Sequence, residues 1–193
     1  MNWVGDYGCV TGIDFSAKAL GFTRMRGQTQ IALASVVEIP FPDAYFDLVT
    51  SFDVVLMLSL EDCQMAFREF MRVVKPGGIV IVRVAAYDWL RGMHDKHWDV
   101  QHRYTTGELR RMLTQAGCKI EQASYANMWL FPIAAIKRLL ERFLPIKTES
   151  DSAINLGPFN NLFAWILSSE AILMRRMNLP FGLSVTAMAR KVV

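Results

Sequence analysis

Three histidines fall within nine residues, in the run His94-Asp95-Lys96-His97-Trp98-Asp99-Val100-Gln101-His102-Arg103-Tyr104. Imidazole and carboxylate groups suit zinc. The H-x2-H-x4-H spacing matches no established metal pattern, however, and no thiolate pair supports it, so no metal site is expected. A plain polar loop is the alternative that the residues themselves leave open. A second group of interest is Asp14, which closes the strand-like run Cys9-Val-Thr-Gly-Ile-Asp14. A carboxylate at the carboxyl end of a strand can accept hydrogen bonds from two adjacent sugar hydroxyls. Its simpler role is to help cap the helix that follows. Ser51, Phe52 and Asp53 end another apolar run, and Asp53 reads equally as a site residue or a helix cap. Neither a Gly-x-Ser-x-Gly elbow nor a Walker A loop is present.

The elements that would position these groups alternate regularly. Ser16 is placed to cap a helix over residues 17–26, ended by Gly27. Strands are predicted over 31–37 and 46–55, the latter apolar enough to be covered on both faces. In the helix predicted over 61–74, Phe67, Phe70, Met71 and Val74 recur at i, i+3, i+4 and i+7. Pro76-Gly77-Gly78 stops it, and a strand over 79–85 follows. Thr105 and Glu108 have capping-box spacing for a helix ended by Gly117. Strands over 118–125 and 182–192 bracket two longer helical stretches, 128–144 and 159–177. Single helices between buried strands predict an α/β chain with a doubly wound, mostly parallel sheet. One domain over 1–193 is expected, with a loop at 87–105 and a helical insertion at 126–180.

Length and composition bound the function. A chain of 193 residues can bury one sizeable core. Hydrophobic content of 52% and a mean hydropathy of +0.22 are high for a soluble protein. A net charge of +3, with its 21 Lys and Arg scattered, argues against a nucleic-acid partner. Three cysteines without CxxC spacing fit reduced thiols in the cytoplasm. No signal peptide is readable, and no stretch has the roughly 20 apolar residues of a membrane span.

The string Ile39-Pro-Phe-Pro-Asp-Ala-Tyr-Phe-Asp-Leu-Val-Thr50, followed by Val74-Lys-Pro-Gly-Gly-Ile-Val-Ile-Val82, resembles class I S-adenosylmethionine-dependent methyltransferases. The resemblance is closest to the bacterial PFPD…FD…KPGG group and covers most of the chain, most strongly residues 10–85 and 102–117. It implies that Asp14 holds the cofactor ribose with Phe15 beside the adenine. Ser35 and Val36 stand where many members carry an adenine-binding Asp. Ser51, Phe52 and Asp53 would face the methionine part, although Leu56 and Met57 replace the family's common acidic-His pair. Family members carry a His/Asp…HxRY-like segment over the site mouth, which makes His94, Asp95, His102, Arg103 and Tyr104 candidates toward substrate. Histidine is suited to removing a proton near neutral pH.

The substrate implied is a small, apolar or lipid-like acceptor. The Asn/Asp-Pro-Pro-aromatic motif of amino-directed nucleic-acid methyltransferases is missing. The two C-terminal helical stretches read as a cap over the sheet, with a peripheral membrane-surface helix as the alternative. The family's opening strand and Gly-rich turn have no counterpart before residue 8. The expectation is therefore a sheet with its first strand missing, a sequence read incompletely from a longer gene, and weak or no cofactor binding by the chain as written. Two other readings stay open: a nicotinamide-dependent Rossmann enzyme and a non-catalytic interaction module.

Overall fold

A computed structural model of the chain describes residues 8–143 and 160–192. In chain order the elements are β1 (Gly12–Asp14), α1 (Ala17–Met25), β2 (Ile31–Leu33), β3 (Phe46–Phe52), α2 (Leu60–Val73), β4 (Val74–Ala85), α3 (Met93–His97), α4 (Thr106–Gln115), β5 (Cys118–Ala126), α5 (Phe131–Phe143), α6 (Asn160–Met174) and β6 (Ser184–Lys191). Short 3-10 turns lie at Val55–Met57 and Asp88–Leu90.

Local chemistry sets most of these boundaries. The Ser16 hydroxyl accepts from the Ala19 N–H and starts α1. Thr105 and Glu108 close the predicted capping box, and Gly117 turns out of α4 with φ 93°. The strand predicted over 31–37 stops at Leu33, because the Ser35 hydroxyl takes the Val37 N–H and folds a turn instead. The loop predicted over 87–105 contains the short helix α3.

The strands form two sheets. One is the parallel pair β1–β2; the other has the order β3–β4–β6–β5. β3 and β4 run parallel, while β6 is antiparallel to both β4 and β5, so β3, β4 and β5 share one direction. The core lies between one face of the larger sheet and two helices. Val80, Val82, Val84, Val185, Ala187 and Ala189 meet Phe67 and Phe70 of α2 and Leu109 and Leu113 of α4. Ile13, Val36 and Val37 pack against the same core, which docks the smaller sheet to it.

One expectation is overturned. β3 is not covered on both faces: Leu48 and Phe52 are each 42% exposed. The apolar character that predicted cover on both faces is real, but among the described residues β3 pairs with β4 alone and stands at the edge of its sheet.

Candidate active site at the carboxyl edge of the sheet

Each of the three co-directional strands is followed within two residues by a non-glycine residue with positive φ: Asp53 at 56°, Tyr87 at 56° and Asn127 at 60°. Such backbone is costly for Tyr87, whose ψ is 112°, and is more readily adopted by Asp53 and Asn127. Asp53 donates its N–H to the Arg83 carbonyl at 2.9 Å, and its carboxylate pairs with the Arg83 guanidinium. That guanidinium lies 5.5 Å from the centre of the Phe52 ring. Tyr87 donates its N–H to the Tyr104 carbonyl, and its ring stacks on Tyr125 at 5.0 Å. Burial, together with the neighbouring Tyr125 hydroxyl, pushes the Tyr87 phenol well above its ordinary pKa.

Asn127 and Met128 both give their N–H groups to the carboxylate of Glu170 on α6, a residue only 4% exposed. That carboxylate fastens α6 over the end of β5, helped by Gln122 Nε2 donating to the Met174 carbonyl. An aromatic group continues outward from this edge. Phe131 sits 5.7 Å from Tyr87, 6.0 Å from Trp89 and 5.3 Å from Phe181. Trp89 and Phe181 are both partly open to solvent.

The segment after β4 is held down by a buried ion pair. Arg103 Nε donates to Asp95 Oδ1 at 2.7 Å, and its terminal nitrogens reach Asp95 Oδ2 and the Ala86 carbonyl. Asp95 also accepts the Gly92 N–H at 2.6 Å. Burial works to raise the Asp95 carboxyl, yet Arg103 and the Gly92 N–H hold it below the usual carboxylate range. Tyr104 is fully buried with its hydroxyl 3.1 Å from Cys63 Sγ, and burial raises its phenol. Asp95, Arg103 and Tyr104 are thus committed to fixing the loop on the core.

His102 is the member of the group that stays near the surface. Its Nδ1 lies 3.1 Å from Asp88 Oδ2 and its Nε2 3.8 Å from Glu108 Oε1, with the ring edge-on to Tyr104 at 4.7 Å. A neutral imidazole so placed keeps its proton on Nδ1 and leaves Nε2 as the basic nitrogen. Sequence spacing does not single out its partners Asp88 and Glu108. Asp88 has no local signal, and Glu108 is legible only as a cap. The His94 side chain lies outside the described residues.

Of the residues expected at a cofactor, Asp14 ends β1 and accepts the Ser16 N–H at 2.8 Å through Oδ1, just ahead of the helix that Ser16 caps. Phe15 beside it is 77% exposed. Ser35 lines a cavity of about 600 Å³ together with Leu33, Glu38, Glu69 and Arg72. Val36 instead turns inward against the core. Ser51 is buried, its hydroxyl without a hydrogen-bond partner among the described residues, whereas Phe52 and Asp53 are open at the end of β3. The structure therefore brings Ser51, Phe52 and Asp53 to the edge shared with Tyr87, and leaves Asp14 and Phe15 on the smaller sheet.

Comparison with known proteins places this architecture. Residues 2–82 match the family model described as a methyltransferase domain. The demethylmenaquinone methyltransferase of Lysinibacillus sphaericus is 40% identical over 83 residues, 40% of this chain and 34% of that protein. A ubiquinone/menaquinone biosynthesis C-methyltransferase of Cupriavidus metallidurans is 31% identical over 149 residues, 62% of this chain and 59% of that one. The chain thus spans less than two thirds of either relative. An S-adenosylmethionine-dependent methyltransferase from Mesorhizobium loti superposes on 98% of this chain and 84% of its own, with a TM-score of 0.57 and 19% identity. The fold is that of the Rossmann-like S-adenosylmethionine-dependent methyltransferases, with an antiparallel last strand.

Proposed function

We propose that this chain belongs to an S-adenosylmethionine-dependent methyltransferase acting on a small, apolar, ring-bearing acceptor. The observation that carries the reading is the row of strand ends turned by positive φ at Asp53, Tyr87 and Asn127, with Tyr87 strained, opening onto an aromatic group. Strain of this kind gathers where a ligand must be met by fixed backbone. Two curated relatives are named for quinone methylation, which suits the same aromatic surroundings.

The cofactor would supply an electrophilic methyl group on a sulfonium. Asp14, with one oxygen tied to Ser16, keeps its other oxygen for a ribose hydroxyl. Ser35 at its cavity would face the adenine side. The backbone amides of a Gly-rich turn have no counterpart among the described residues, so the fit is partial. His102 Nε2 would accept the acceptor's proton, Asp88 fixes the tautomer, and the 87–105 segment excludes water once held by Arg103 and Asp95. Catalysis by this arrangement is chiefly positioning. The apolar side chains of α5, Ile133, Ile136, Leu139 and Leu140, are 46–63% exposed and give a lipid-like acceptor a path to the edge. Contact of that helix with a membrane surface belongs to the same reading. No described helix is long and apolar enough to cross a membrane.

Ligand-detected NMR with S-adenosylhomocysteine, which senses millimolar binding, tests the cofactor assignment. The chain is expected to bind it weakly and in preference to NAD. Asp14→Ala should weaken binding by about 10- to 100-fold, the worth of a hydrogen bond to a charged group. Unchanged affinity in that variant, or equal affinity for NAD, would overturn the reading. Low-micromolar binding by the parent chain would overturn the expectation of weakness.

A further inference from the structure

The guanidinium of Arg138 fastens α5 to the segment that follows β4. Its Nε donates to the Leu90 carbonyl at 3.1 Å, and its Nη1 donates to Glu141 Oε2 at 2.6 Å. The Leu90 carbonyl closes the 3-10 turn Asp88–Leu90, and a carbonyl at that end has no partner within the turn. Leu90 is buried, and Arg138 supplies the donor.

The turn is shaped to receive this group. Gly92 lies directly against it: a Cβ there would come within 2.6 Å of Nη1, and closer still to Nη2 and Cζ. Because the end of an arginine is flexible, a methyl at position 92 would displace the guanidinium rather than the backbone. Gly92 is itself held through its N–H by Asp95, the carboxylate that pairs with Arg103. The seat for Arg138 is thus built from the contacts that pin the 87–105 segment.

Arg138 stands seven residues after Phe131, two turns along the same face of α5. Phe131 is the residue by which α5 enters the aromatic group, against Tyr87 and Trp89. Those two rings belong to the same short segment as Leu90. Arg138 therefore ties together the two walls of the aromatic group, one carried by the segment after β4 and the other by α5.

We propose that Arg138 is a positioning residue for the acceptor. It acts through Phe131, holding that ring at the spacing from Tyr87 and Trp89 that grips the acceptor. The role rests on the assignment of a ring-bearing acceptor to this edge. Arginine suits it better than lysine, because one planar group serves Leu90 and Glu141 at once.

The test uses the full chain with 2-naphthol as the probe, its affinity followed by ligand-detected NMR. Arg138→Ala should weaken 2-naphthol binding by about two- to tenfold, the worth of one aromatic contact, and leave S-adenosylhomocysteine binding unchanged. Arg138→Lys should recover little of that loss. Gly92→Ala, which keeps the arginine but takes its seat, should weaken binding to the same extent. In a Phe131→Ala background, Arg138→Ala should cost nothing further, as expected when one residue acts through the other. Glu141 keeps Lys137 at 3.9 Å when the guanidinium is gone, and unchanged amide exchange across β4 and β6 should show the variants folded. Parent affinity in Arg138→Ala, additive losses from Arg138→Ala and Phe131→Ala, or an equal loss of S-adenosylhomocysteine binding overturns the proposal. Failure of the parent chain itself to bind 2-naphthol overturns the acceptor reading and the positioning role with it, a result distinct from the other three.

Discussion

Replacing Arg103 by Ala is expected to remove about 3–5 kcal/mol of stability, the usual result of stripping one partner from a buried ion pair. The side chains of Arg103 and Asp95 are 13% and 5% exposed, so the abandoned carboxylate has little water to turn to. The same change frees the Ala86 carbonyl from the guanidinium. Arg103→Lys should recover only part of the loss, because an ammonium cannot reproduce the two-oxygen grip on Asp95. Urea unfolding gives the measurement. Its pH dependence supplies a second check: with a lowered folded pKa, Asp95 contributes fully above the ordinary carboxylate pKa of about 3.9. That contribution is lost as pH falls through the lowered value. The gap between parent and variant should therefore be widest near neutrality and close in acid. A gap independent of pH would show that the pair is not what holds the segment.

Gly182→Ala is expected to cost about 3 kcal/mol or more, at the upper end of what overpacking does. A Cβ there would fall onto the Ala126 carbonyl oxygen, within 2.8 Å of its carbon and 2.9 Å of its nitrogen. These are backbone atoms at the end of β5, paired in register with Ser184 of β6, and no rotamer change relieves the clash. Gly21→Ala is the contrasting control. It lies within α1 with nothing within 4 Å of the added methyl, and should stabilise by about 0.5–1 kcal/mol. Equal effects from the two substitutions would show that close approach of the chains at Ala126 is not the constraint.

Local signals carried the sequence reading a long way, and where it stopped is physically clear. Ser16, the Thr105–Glu108 box and Gly117 act within four residues, and each does in the structure what its type suggests. The apolar runs at 46–55 and 79–85 carried the strands and their parallel pairing, although β3 stops at Phe52. Whether a run is covered depends on distant chain, and so β3 was misjudged. The partners of the loop residues were also hidden. Asp88 meets His102 across 14 positions, and Glu170 reaches Asn127 across 43. No periodicity encodes such pairings. Tyr104 is a candidate toward substrate only through the HxRY-like resemblance, and its hydroxyl lies in the core beside Cys63.

That burial beside Cys63 has a consequence for the chain's thiols. Cys63 and Cys118 are sealed in the core, and burial raises the pKa of both, Cys118 to about 11. Thiolate is the form that reacts with electrophiles, so neither alkylates readily while the core is intact. Cys9 is exposed, and it lies three residues ahead of β1. A maleimide dye would thus attach at a single natural position, just ahead of β1, with no residue changed.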